Sequence, residues 1–296
     1  MNPAALFFAS GDSLYPGALL LGLAVIAGPS PQSRGLRLLH SLAMWLGLAL
    51  IVMGCPPVSG WMAAAFLVVF SLWLIAKGRV RPDSPWSRVH IAAAAVLLVW
   101  LLVVSGSEFL QRRGPRISGE PKHQLTVIGD SISSGIDTHT TAWPILLQQQ
   151  TGIPVRILSR AGAGVLEARA MASQVQPEER LVLIEIGGND LLSGMSSAEF
   201  GEGLESLLSS LTMPKRTVVM FELPLLPNKI GFGQVQRHLA VKYRVFLIPK
   251  HFFTGILSGA DSTSDGLHLS ESGAWRMATV VAHLLRLKPV GTATFQ

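Results

Sequence analysis

The feature that most limits how this chain can fold is a series of apolar runs in its first third. Three are clear, at about residues 36–54, 61–76 and 89–106. A weaker one covers about 14–27 and can extend back through Leu6-Phe7-Phe8. A helix that crosses a bilayer needs about 20 mostly apolar residues, within a range of about 17–25. The runs at 36 and 89 meet that length, and the run at 61 is slightly short. The run at 14 is marginal because Ser10, Gly11, Asp12 and Ser13 interrupt it. Lipid offers backbone N–H and C=O groups no partner except each other, so runs of this kind must be helices. Composition agrees: 14% of the residues are charged, against about 25% in a soluble globular chain. A cleaved leader is the rival reading of the run at 14. No basic residue precedes it and three more runs follow, which disfavours that reading. Residues 1–106 are therefore predicted to be a transmembrane helical region of three to four spans.

Charge separates this region from the rest. Residues 1–122 hold ten Lys and Arg and four Asp and Glu, which accounts for the whole net charge of +6, while residues 123–296 hold fourteen of each. A nucleic-acid binder needs a basic excess to displace counterions from phosphates. The C-terminal part has none, so no nucleic-acid partner is expected. Basic residues in short loops set topology. Arg34 and Arg37 follow the first run, the loop 54–60 is uncharged, and Lys77, Arg79, Arg81 and Arg88 follow the third. That alternation puts the first and third loops in the cytoplasm and the C-terminal domain outside; Arg112, Arg113 and Arg116 oppose it. The lone cysteine, Cys55, allows no internal disulfide. Residues 107–122 are polar, with Gly and Pro and no period, and read as a linker.

Beyond residue 123 the rhythm changes. Short apolar segments at 125–128, 155–158, 181–186, 218–222 and 245–248 read as strands. Helical stretches at 142–150, 165–174, 198–211 and 234–244 separate them, and an amphipathic helix at 272–287 closes the chain. Repeated strand–helix units predict an α/β fold, a doubly wound parallel sheet sandwich over residues 123–296. Ligands on such sheets sit at the carboxyl ends of the strands.

Three of those ends carry candidate residues. The first reads Ile128-Gly129-Asp130-Ser131, a Ser after a tight turn with its Oγ exposed above the sheet. The second is Ser159-Arg160-Ala161-Gly162-Ala163-Gly164, whose glycines let a backbone N–H approach a ligand. The third is Ile186-Gly187-Gly188-Asn189-Asp190, where the Asn amide can offer an N–H to a developing oxyanion. Before the last helix stands Asp265-Gly266-Leu267-His268. An Asp three residues before a His can reach Nδ1 and leave Nε2 for the Ser. No Cys/His cluster has metal-ligand spacing, and no phosphate-binding glycine loop appears, so neither metal nor cofactor is expected.

In this order and at these positions, the four blocks resemble those of the GDSL/SGNH hydrolases, a family named for a Ser, a Gly, an Asn and a His in separate blocks. The resemblance is strongest to the small bacterial thioesterase/lysophospholipase/arylesterase branch. It includes the stretch GDSISSGIDTHTTAWPILLQ at 129–148 and covers about residues 123–288, not the membrane region. It implies a flavodoxin-like SGNH sandwich in which Ser131 is the nucleophile, His268 the base and Asp265 its partner. The oxyanion donors would be Ser131, Gly164 and Asn189. The family's usual Asn in the second block is replaced by Ser159, so Gly162 stays open as the donor instead of Gly164. Asp130 is expected to hold the turn, and His139 is a rival base without a suitable Asp. A more literal GDSL string at Gly11-Asp12-Ser13-Leu14 follows no strand and is read as a chance match. The implied protein is a membrane-anchored serine ester hydrolase acting on a small-molecule or lipid ester. Alternatives are an O-acetyl esterase or acyltransferase on envelope glycan or lipid, and a noncatalytic membrane scaffold. The loops 224–233 and 250–264 are expected to line the acyl site.

Overall fold

The computed structural model describes residues 2–28, 33–80, 85–115, 117, 124–135, 140–259 and 261–288. Arg81, Arg116 and the rival base His139 lie outside these. The chain divides into two compact units. One is formed mainly by residues 7–112 and the other by residues 113–225 and 231–296.

The N-terminal third is helical: α1 (Pro3–Ala9), α2 (Leu14–Ile26), α3 (Arg34–Met53), α4 (Gly60–Arg79) and α5 (Pro85–Gln111). Three of these, α3, α4 and α5, are long and apolar enough to cross a membrane. α1 and α2 meet at a 73° bend, and the pair makes a fourth candidate span only if the broken helix counts as one. The bend falls on the polar stretch that interrupts the first apolar run. There Ser13 Oγ donates to the Leu50 carbonyl at 2.9 Å. The backbones of α2 and α3 approach closely at Gly17 and Gly47. A Cβ on either would lie 2.9 Å from the carbonyl oxygen of the other, and small residues permit such contact between apolar helices. α5 continues to Gln111, into the stretch read as linker. The first helix breakers after the apolar run are Gly114 and Pro115, so nothing local stops the helix earlier.

The second unit is a five-stranded, all-parallel sheet in the order β2-β1-β3-β4-β5. Its strands are β1 (Leu125–Gly129), β2 (Val155–Ser159), β3 (Leu181–Glu185), β4 (Thr217–Phe221) and β5 (Phe246–Ile248). The helices are α6 (Ser131–Ser134), α7 (Trp143–Thr151), α8 (Val165–Ala172), α9 (Gly188–Leu192), α10 (Ser197–Leu211), α11 (Ile230–Lys242), α12 (Lys250–Leu257) and α13 (Glu271–Leu284). Strand alternation divides the core. Leu125, Val127, Leu181, Leu183, Val219, Phe221 and Ile248 face a cluster that includes Trp143 and Leu147 of α7 and Met277 and Val281 of α13. α8 packs on β1 and β2, and α10 packs on α8. The central strands β1 and β3 are buried at every position, whereas β2, at the edge, is half-buried. The chain reverses direction between β1 and β3, so the crevice expected of this topology opens at their carboxyl ends.

Two of the expected loops are corrected. The stretch 250–264 begins with α12, and Phe252 and Phe253 pack against the core. Pro249 stands at the N-cap position of that helix, and its fixed φ suits a helix entrance. The stretch 224–233 is shortened because α11 starts at Ile230, and Leu225 and Phe232 are fully buried.

Candidate active site

Each strand tail supplies one wall of the site. β1 ends at Gly129, and Asp130 caps the one-turn helix α6 by accepting the Ile132 N–H at 2.9 Å. Ser131 is therefore the first residue of that turn, half-buried, and its own N–H has no protein acceptor among the described residues. Beneath it Ser133 Oγ donates to Glu185 Oε2 (2.8 Å) and accepts from Trp143 Nε1 (3.2 Å), both buried bonds.

The second tail is tied to the first by the Arg160 N–H on the Gly129 carbonyl, 3.2 Å. It then turns into α8, where the buried Asp190 carboxylate accepts the Val165 N–H at 3.1 and 3.2 Å. A Cβ on Gly164 would lie 2.5 Å from Asp190 Oδ1, so no other residue fits there without a shift. The Gly164 N–H donates to Glu167 Oε2 at 2.9 Å, and Glu167 pairs with Arg160 at 3.3 Å. Gly162, the other candidate donor, is exposed with φ +77°.

The third tail closes the set. Asn189 Nδ2 donates to Asp130 Oδ2 (3.1 Å) and to the Ala163 carbonyl (3.0 Å), so one amide links all three strand ends. Both of its N–H bonds are engaged in this arrangement.

The fourth block, the final loop, is held by an antiparallel bridge between Thr263 and Leu269 and by Ser270, whose hydroxyl caps α13 at Gly273. Within it Asp265 Oδ1 accepts the N–H groups of Leu267 (2.9 Å) and His268 (2.8 Å), and Oδ2 meets His268 Nδ1 at 2.6 Å. The His268 backbone N–H, then its ring, then the Leu267 N–H hold the Asp265 carboxyl well below the usual carboxylate range. With Nδ1 engaged, Nε2 is the ring nitrogen left for chemistry. No hydrogen bond joins Ser131 Oγ to His268 among the described residues. A positive charge on the His268 ring would lower the carboxyl of Asp130, the neighbour of Ser131.

Two acids beneath the turn share a buried environment. Burial pushes Glu185 well above the ordinary carboxylate value, and the negative charge of Asp130 pushes it further. Burial also raises Asp130, to about 6, against the Ile132 N–H, the bond to Glu185 and the charge of His268, which lower it. Of the two, Glu185 is the acid that burial and its neighbour's charge hold more strongly toward the protonated form. In the sequence Glu185 is visible only as the one polar residue in an apolar strand, and that exception is the signal that it serves the site. Among the described residues, no three His, Cys, Asp or Glu side chains are grouped so as to hold a metal ion.

The GDSL-like Lipase/Acylhydrolase family model matches residues 127–276, which contain all four blocks. Esterase TesA of Pseudomonas aeruginosa is 31% identical over 160 residues, covering 49% of this chain and 78% of that protein. Thioesterase 1/protease 1/lysophospholipase L1 of Escherichia coli is 28% identical over 156 residues, covering 49% of this chain and 74% of that protein. A crystal structure of TesA aligns over 55% of this chain and 98% of its own, with a TM-score of 0.49 and 29% identity.

Proposed function

The chain belongs to the GDSL-like lipase/acylhydrolase family and is a carboxylic-ester hydrolase, and from that premise we propose that Ser131, His268 and Asp265 form its catalytic triad. The observation that carries this reading is the 2.6 Å contact of Asp265 Oδ2 with His268 Nδ1, which leaves Nε2 as the ring nitrogen for the Ser131 proton. In the first half-reaction Ser131 Oγ attacks the ester or thioester carbonyl and its proton passes to His268 Nε2. The carbon–oxygen or carbon–sulfur bond then breaks, His268 protonates the leaving group, and the acyl group stays on Ser131. In the second half-reaction His268 takes a proton from water, hydroxide adds to the acyl carbon, and the acid leaves as Ser131 regains its proton.

The oxyanion formed in each half is received by N–H donors, and preorganised donors of this kind contribute much of the rate in acyl transfer. Ser131 N–H is already free. The Asn189 amide joins by exchanging its bond to Asp130 or to Ala163 for one to the substrate. Gly164 joins when Glu167 releases its N–H; Gly162 is the alternative donor in that wall.

The substrate class follows from the helical unit. We assign α3, α4 and α5 to the membrane, with the basic loops in the cytoplasm and the sandwich outside, as the positive-inside rule directs. An esterase held at that surface meets lipid-derived esters, and lysophospholipids are the class named for one of its relatives. Hydrolysis of a p-nitrophenyl ester series from acetyl to palmitoyl, by the full protein and by Ser131→Ala, tests both parts. A profile rising with chain length and lost in the variant is expected. A profile peaking at acetyl would point to de-O-acetylation, and undiminished activity in the variant would remove Ser131 from the mechanism.

A further inference from the structure

The helical unit holds a second cluster of reactive side chains that ester hydrolysis does not use. His40 lies in the second turn of α3, Lys77 in the last turn of α4 and His90 in the second turn of α5. Lys77 Nζ is 2.9 Å from His40 Nε2 and stands 5.1 Å over the Trp73 ring, which stacks on the His90 imidazole at 5.8 Å. Trp73 is fully buried, and His40 and His90 are 7% and 6% exposed. Ionisable groups at membrane depth are costly to place and mark functional positions.

Among the described residues the cluster is rich in donors and has no carboxylate to match them. His40 Nδ1, Trp73 Nε1 and His90 Nε2 are buried without a hydrogen-bond partner. An ammonium and an indole can only donate, and an imidazole whose Nε2 accepts from Lys77 donates at Nδ1. Lys77 pairs with no carboxylate among the described residues. The same end of the bundle carries Arg34, Arg37, Arg79 and Arg88, and the described residues 33–41, 73–80 and 85–92 contain no Asp or Glu; Asp83, between α4 and α5, lies outside the described residues. Buried donors without acceptors are rare in folded proteins. His40 Nδ1 and Trp73 Nε1, two such donors around one cation, suit a ligand that brings charge and several acceptor oxygens.

We propose that Lys77, His40, Trp73 and His90 form a binding site for the phosphate of an anionic phospholipid. Phosphate supplies the negative charge and acceptors on several sides. The lipid source is favoured over free phosphate because the same helix turns carry exposed apolar side chains, Leu39, Ile75 and Ile91 at 63%, 46% and 67%, on which acyl chains can lie. Basic pockets between membrane helices on the cytoplasmic side bind anionic headgroups by this chemistry.

The inference rests on the assignment of α3, α4 and α5 to the membrane, so that assignment is tested first. Release of the full protein from membranes by an alkaline carbonate wash would overturn both. With the protein retained, its Tm is measured in dodecyl maltoside micelles with added short-chain phosphatidylglycerol, with phosphatidylcholine of the same chains, or with inorganic phosphate. Phosphatidylglycerol is expected to raise Tm by several degrees and the other two to leave it unchanged. Lys77→Gln should weaken the phosphatidylglycerol response by about fivefold in midpoint concentration, and Lys77→Arg should keep it. Hydrolysis of a soluble p-nitrophenyl ester should be unchanged in both and serves as the check on folding. If Lys77→Gln fails that check, Trp73→Phe removes a single donor and should weaken the response by about threefold. Equal shifts with phosphatidylglycerol and phosphatidylcholine would overturn the site. So would an undiminished response in a folded variant. A shift reproduced by inorganic phosphate alone would overturn the lipid as its ligand.

Discussion

Gly-Asp-Ser occurs twice in this chain, and the two copies have nothing in common beyond the letters. At Gly11-Asp12-Ser13 the tripeptide lies in the bend between α1 and α2. Ser13 is fully buried, its hydroxyl is bonded to the Leu50 carbonyl, and Asp12 is paired with Arg112. At Gly129-Asp130-Ser131 it follows a buried strand. There the Asp carboxylate accepts the N–H of Ile132 and the amide of Asn189, and Ser131 keeps a free N–H at the start of a helical turn. A serine between helices closes a helix end, and a serine at a strand tail stands at the carboxyl edge of the sheet, the place of the proposed nucleophile. The tripeptide carries no chemistry until a strand delivers it to the crevice of a parallel sheet.

The largest expected effect separates the two serines directly. Ser131→Ala should lower kcat/KM for p-nitrophenyl esters by at least about 10⁴-fold, while Ser13→Ala should stay within about twofold because it removes only one buried hydrogen bond, to the Leu50 carbonyl within the helical unit. Equal losses, measured on both purified variants, would break the distinction. Asp265→Asn should cost on the order of 10³-fold in kcat by stabilising the wrong tautomer of His268, with KM little changed. Steady-state kinetics at constant pH would show a KM effect instead if Asp265 only shapes the loop.

The acids beneath the second copy sharpen the comparison through stability. Glu185→Gln keeps a neutral donor and should cost less than about 1 kcal/mol. Glu185→Ala leaves Ser133 and Asp130 short of partners and should cost about 1–3 kcal/mol, read from denaturant midpoints. The pH dependence has a definite sign. Asp130 holds its proton more tightly folded than unfolded, its value rising from 3.8 to about 6. The folded state therefore binds more protons in that interval, and stability falls as pH rises through it. Asp130→Asn should remove this part of the slope, so the wild-type Tm should fall relative to the variant between about pH 4 and pH 7. Parallel Tm curves would mean that Asp130 is not perturbed.

The smallest effect concerns the oxyanion wall. Freeing the Gly164 N–H by Glu167→Ala should raise kcat by about threefold while the loss of the helix cap lowers stability by about 1 kcal/mol. Unchanged kcat with the same loss of stability would give the donor role to Gly162.

Much of this organisation is legible in the letters. The apolar runs mark α3, α4 and α5 because length and hydropathy are local properties. The five strands fall where short apolar segments end in glycine or polar turns, for the same reason. The candidate residues stand out because each ends a strand or opens the last helix. What local reading misses is equally specific. The extension of α5 to Gln111 and the helix α12 begin in polar or mixed segments, where only the absence of a breaker or a Pro at the cap marks the helix.

Sequence by itself determined that a basic, apolar helical region precedes a neutral α/β sandwich, that the sandwich belongs with the ester hydrolases, and which residues to examine. Only the tertiary structure decided that one amide, Asn189, joins all three strand tails, that Glu185 is buried beneath the Ser131 turn and bonded to Ser133, and that Glu167 holds the Gly164 N–H. It alone gathered Lys77 with two histidines from separate helices. The physical reason is that periodicity and turn chemistry act between neighbours along the chain. Hydrogen bonds, burial and charge act between neighbours in space, and residues 37 or 59 positions apart become neighbours only when the elements pack.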